Sequence, residues 1–215
     1  MKPTNLSIQN HTPETNAKQR VRLYKQRGMT MIELMVVVAI LGILAAFAMS
    51  KMDTSTSKAT RLYNDMNTTK GALLRAKMDM GAMPTNLTAL WVKANATSAN
   101  MYGGLNGTAS WNGAYMEPQT VDSSNAIKIV AITDTTTFNV AREAASAATN
   151  GGNYTWVYYL RATNVPNTII YKFLKQCAGS EDASAVTFVN APCRATPGTG
   201  TSEYGTVDLR VDDSY

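Results

Sequence analysis

The segment Met29–Ser50, MTMIELMVVVAILGILAAFAMS, limits what this chain can fold into more than any other, because Glu33 is its sole charged side chain. At about 1.5 Å of rise per residue, a helix of this length covers a hydrocarbon core of about 30 Å. A helix that is apolar on every side has no face to offer water, so lipid or other helices must surround it. Arg20, Arg22, Lys25 and Arg27 precede the segment, and Gly28 closes that basic cluster. The positive-inside rule keeps the cluster cytoplasmic and sends everything beyond Ser50 across the membrane.

The formal charge of +5 comes from 20 basic and 15 acidic residues. Residues 1–28 hold six of those bases and one of the acids, leaving the rest of the chain neutral. The basic character therefore describes a leader and makes no case for nucleic acid as the primary partner. The only histidine, His11, lies in that leader. The remainder lacks an imidazole for Ser-His-Asp or Cys-His chemistry or for a histidine-based metal site, so neither an enzyme nor a bound cofactor or metal is expected.

Three readings fit residues 29–50. A cleavable signal peptide would use Ala46-Phe47-Ala48 as its small-x-small site. A permanent anchor suits the basic flank but gives no reason for an intramembrane acid, which costs free energy unless it is paired. The third reading rests on the string Arg27-Gly28-Met29-Thr30-Met31-Ile32-Glu33-Leu34, which resembles the prepilin cleavage motif of the type IV pilin family. The resemblance implies cutting by the prepilin peptidase between Gly28 and Met29, methylation of the new Met29 amine by the same machinery, and retention of the apolar segment. It also implies that Glu33 serves subunit assembly by pairing with a freed amine of a neighbouring subunit. Met29 in place of phenylalanine and the 28-residue leader look like the type IVb branch.

Beyond Ser50, Ala59, Leu62, Met66, Thr69, Leu73, Ala76 and Met80 recur at steps of three and four and mark one face of an amphipathic helix. Gly81 and Pro84 stop it. Gly42 and the run Asp53–Ser57 are its weak points. Residues 85–126, rich in Asn, Thr, Gly and Ser, read as a long connecting loop and a subunit-contact surface. Strands are expected at Ala126–Thr133, Tyr154–Arg161, Thr168–Leu174, Ala185–Val189 and Thr206–Val211, with a helix at Thr137–Thr149. Tyr154, Trp156 and Tyr158 share a strand face and read as packing rather than as a sugar-binding stripe. Asp208, Asp212 and Asp213 are the acids nearest to a calcium cluster, although they form no compact motif.

Cys177 and Cys193 are the only cysteines. In a translocated domain such a pair reads as a disulfide, which by loop-closure entropy stabilises the fold by about 3 kcal/mol. Zinc is disfavoured with two ligands and no histidine, and a catalytic thiol lacks a base. The bridge also resembles the C-terminal disulfide loop of the pilin family, with Ser180, Glu181, Asp182 and Pro192 marking a solvated segment.

The expected architecture is α+β and pilin-like. Its parts are a leader at 1–28, a long helix at 29–82 that is hydrophobic over 29–50, and a globular head at 83–215 with a mainly antiparallel sheet. The expected function is that of a type IVb-like pilus subunit. It resides first in the inner membrane, with the pilus assembly machinery, and then in an extracellular homopolymer of identical subunits. The rival expectations are a minor pilin or tip adhesin, a type II secretion pseudopilin, and a secreted protein with an ordinary signal peptide.

Overall fold

The computed structural model describes residues 30–50, 54–146 and 155–214. They fall into two units that divide after residue 52, and each stands on its own below. The first contains helix α1, Met31–Ser50. The helix runs unbroken through Gly42, so the helix-breaking tendency of that glycine is not realised there.

The second unit opens with helix α2, Thr54–Met80. The expected face is buried in full, joined by Ala72. Of the low-propensity run, Thr54–Ser57 form the first turn of α2, while residue 53 lies outside the described residues. The stop is also where the sequence puts it. Gly81 adopts φ 78°, a left-handed conformation that favours glycine, and its N–H returns to the Lys77 carbonyl at 2.9 Å.

Residues 85–126 contain short 3₁₀ turns, at Leu87–Leu90, Lys93–Asn95, Ser98–Asn100 and Tyr102–Gly104, and isolated β-bridges from Met101 to Pro84 and from Val121 to Ile127. Leu87, Ala89 and Leu90 nonetheless enter the core, and the Trp111 indole N–H donates to the Ala89 carbonyl at 2.9 Å. The segment is irregular in backbone yet pinned by its apolar residues.

The sheet follows as β1, Ile127–Lys128; β2, Thr137–Ala144; β3, Trp156–Pro166; β4, Cys193–Thr196; and β5, Tyr204–Ser214. Its order is β1-β2-β3-β5-β4, with every pair antiparallel. Helix α3, Asn167–Ala178, leaves β3 directly. Tyr158, Leu160 and Ala162 of β3 and Val207, Leu209 and Val211 of β5 face α2 and α3 across one core, with Leu62, Met66, Leu73, Ile170, Phe173 and Leu174. Alternate residues point to the reverse face, where Val157, Tyr159 and Phe188 form a small second cluster. The arrangement is α+β.

Four expectations need correction. The segment 137–149 is a strand over Thr137–Ala144 rather than a helix, and 147–149 lie outside the described residues. Phe138 and Val140 are buried while Thr137, Asn139 and Ala141 are less so, which is the period of two that a sheet imposes. Residues 168–174 are helical rather than extended, since Ile169, Ile170, Phe173 and Leu174 all reach the core only at a helical pitch. Residues 185–189 form turns, with Asn190 Oδ1 accepting from the Thr187 N–H at 2.9 Å. The strand expected at 126–133 shrinks to Ile127–Lys128, because the chain turns back through Ile129 and Ile132.

Candidate functional site

Helix α1 begins at a cap built from its own residues. The Thr30 Oγ1 accepts from the Glu33 N–H at 3.3 Å, and the Thr30 carbonyl accepts from Glu33 at 3.0 Å and Leu34 at 3.2 Å. A threonine followed three residues later by a glutamate is the capping-box pattern, a signal legible in Thr30-Met31-Ile32-Glu33. Glu33 stands in the first turn, where the helix dipole favours negative charge. Its side chain is exposed. So is every described side chain of α1 from Met31 as far as residue 45: Ile32 is 71% exposed, and Val38, Leu41 and Ile43 are nearly 60%. Among the described residues no helix is long and apolar enough to cross a membrane. The expected span at 29–50 includes 46–50, whose side chains lie outside them, as do Gly28 and Met29 themselves.

The second element is the segment closed by the Cys177–Cys193 disulfide, whose Cα atoms are 6.4 Å apart. It links the end of α3 to edge strand β4, so the bridge ties a helix to the sheet. Gly179, at φ 75°, caps α3. Glu181 is held by Lys172 at 3.0 Å and Lys175 at 3.4 Å, and the hydrogen bond from Lys172 lowers its pKa. Asp182 accepts from the Ser184 hydroxyl at 2.6 Å and from its N–H at 2.9 Å, which also lowers its pKa. Glu181, Asp182 and Pro192 are exposed and Ser180 half-buried. Val186 and Phe188 are buried, however, so the segment is anchored at its middle as well as at its ends.

That anchor rests on a charge network the sequence reading did not find. On the reverse face, Asp208 of β5 takes Arg161 of β3 through two bonds of 2.8 Å and Arg194 of β4 through one of 2.8 Å. Arg194 reaches on to Glu143 of β2 with bonds of 2.8 and 2.7 Å. The Arg194 guanidinium also lies 4.4 Å from the Phe188 ring centroid. Donating to the Asp208 carboxylate drives the Arg161 pKa further up. For Arg194, burial opposes the shift, but the bonds to Glu143 and Asp208 outweigh it and leave its pKa raised. The network staples the four principal strands. Its only trace in the sequence is opposite charge at outward-facing strand positions, visible once the register is known.

The other expected acids are engaged too: Asp212 pairs with Lys77, and Asp213 with Arg210 at 2.6 Å. Among the described residues no group of acids, cysteines or histidines is disposed to hold a metal ion. Tyr158 is buried in the core and Trp156 packs against it, while Tyr154 lies outside the described residues.

Comparison with known proteins points back to α1. A family model for the prokaryotic N-terminal methylation motif matches residues 23–49. The chain is 42% identical over 65 residues to the fimbrial protein EcpB of Eikenella corrodens, covering 29% of this chain and 40% of that protein. It is 35% identical over 79 residues to the type II secretion system core protein G of Klebsiella pneumoniae, covering 36% of this chain and 56% of that protein. The match thus spans roughly half the length of these relatives, neither of which is named as an enzyme. No solved structure matches the chain. With a methylation motif matched over residues 23–49, a fimbrial and a secretion-system relative, and an α+β head, this chain is similar to the type IV pilin family, pilins and pseudopilins taken together.

Proposed function

We propose that the chain is the precursor of a type IVb-like pilus subunit, cut between Gly28 and Met29, N-methylated at Met29 and assembled with identical copies through α1. The observation that carries this reading is a helix apolar on all sides and exposed throughout its described side chains, with a single carboxylate in its first turn. Such a helix is stable in a bilayer before assembly and in a bundle of like helices afterwards. Its partners are then the prepilin peptidase and methyltransferase, the inner-membrane assembly machinery, and finally its own copies in an extracellular filament for adhesion, aggregation, conjugation or motility.

Glu33 has a defined task in this scheme. Cleavage leaves a positive amine at Met29, and a carboxylate carried into an apolar bundle is retained only if it finds a cation there. The gain is register and recruitment rather than affinity, because the apolar face exchanges lipid for protein rather than water for protein. Glu33→Ala should therefore be processed like the wild type, with the same ratio of precursor to mature chain on blots, yet be absent from sheared fibres. Fibres of normal yield from this variant would remove the role.

A second reading is favoured by the likeness to core protein G: a pseudopilin, which would share the same N-terminal processing. Recovery of the chain from surface fibres supports the pilus reading. Its confinement to the cell envelope, with loss of secreted proteins on deletion, supports the other.

A further inference from the structure

Arg142 of β2 is the exception among the arginines of the described residues. Arg61, Arg161, Arg194 and Arg210 each meet a carboxylate, and Arg75 donates to the Tyr115 carbonyl at 2.8 Å. Among the described residues the Arg142 guanidinium has no oxygen partner. It lies instead over two rings at once, 4.6 Å from the centroid of Tyr102 and 4.2 Å from that of Trp156. The side chain is exposed and both rings are half-buried, with Leu105 beside Tyr102 in sequence and 52% exposed.

Stacking fixes a guanidinium without using its N–H donors, so the entropy of ordering the side chain is already spent and the fork remains open to a carboxylate. Tryptophan, tyrosine and arginine are also the residue types that dominate interface energetics.

The opposite end of the sheet carries what this end lacks. In the register, Trp156 pairs with Ser214 and Pro166 with Tyr204, so Glu203, just before β5, stands the whole length of β3 away from Trp156, about 35 Å. Within one copy the two cannot meet. Glu203 is exposed, and among the described residues its carboxylate has no cation partner, its only recorded bond being through its backbone carbonyl to the Asn167 N–H. Tyr204 beside it is 48% exposed, and Pro166, Asn167, Thr168, Glu203 and Tyr204 line a shallow cleft of about 270 Å³. The acids nearest to Arg142 along the sheet, Asp212 and Asp213, are already engaged by Lys77 and Arg210.

We infer that Arg142, stacked on Tyr102 and Trp156, receives the Glu203 carboxylate of a second copy of this chain, so that heads join end to end along the strand direction. A contact between two different patches does not close on itself and propagates into a fibre. The inference rests on the filament reading above and adds the surface by which heads contact one another.

Charge exchange in the full-length chain, expressed in its own cells, tests it. R142E and E203R should each lower the yield of sheared fibres about tenfold or more, since like charges then face each other in a desolvated contact. The double variant R142E/E203R should restore the yield to within about threefold of the wild type, which also shows that neither change prevents folding. Single variants that assemble normally, or a double variant as defective as the singles, would overturn the pairing. Should the wild-type chain itself be missing from fibres, the filament reading fails along with it, an outcome the wild-type control separates from the other two.

Discussion

Asp208 shows how much a single side chain carries in this head. It is 3% exposed in the middle of β5 and neutralises two arginines from two neighbouring strands. A buried charge is tolerated only when paired, and removing one partner costs more than the pair contributes, because the others are left desolvated and alone. Arg161 keeps about two-fifths of its side chain in water, which softens the loss. Asp208→Ala should therefore destabilise the chain by about 2 kcal/mol, read as a lowered midpoint in thermal unfolding of the detergent-solubilised protein. Asp208→Asn, which keeps the shape and loses the charge, should recover only part of it.

At the level of elements, α2 illustrates what is legible in a sequence and the central strands what is not. The spacing of Leu62, Met66, Leu73 and Met80 describes a face, and that face is buried. Met66→Ala should accordingly cost about 3 kcal/mol, whereas Met78→Ala, at a position 83% exposed, should change the unfolding midpoint very little. The long helix declares itself because its pattern repeats over many turns and glycine ends it. Residues 137–144 and 168–174 are too short for that. Phe138, Val140 and Ala141 fit a strand as well as a helix, and Thr168-Ile169-Ile170 carries the β-branched residues of a strand into α3. What decides each is pairing with partners distant in sequence: β3 for β2, and α2 with the sheet for α3. The N-terminal motif was legible because its chemistry is local. The Asp208 network and the Arg142 stack were not, because they depend on register.

The loop closed by the disulfide adds a pH dependence at the same scale. The pKa values of Glu181 and Asp182 are both lowered in the folded chain, by Lys172 and by Ser184 respectively. A depressed folded pKa means stabilisation that is fully present above the unfolded carboxylate pKa of about 4 and is lost as pH falls through the folded value. The Ser184 amide, which donates to the Asp182 carboxylate, should thus exchange hydrogen faster at about pH 3 than at pH 6 after correction for the intrinsic rate. Equal protection at both would show that these carboxylates do not hold the loop.

Taken whole, the molecule joins two solutions to two solvents. One unit is a helix whose residues match hydrocarbon and refuse water; the other is a head with a core, a stapled sheet and a disulfide. In the function proposed above, the link between them is a cut that turns a membrane-held precursor into a subunit able to stack. The most direct measurement is the intact mass and N-terminal peptide of the chain purified from cells. The account predicts a chain beginning at Met29 with one methyl group on its amine. A chain that begins after Ala48, or that still carries the basic leader, would contradict it.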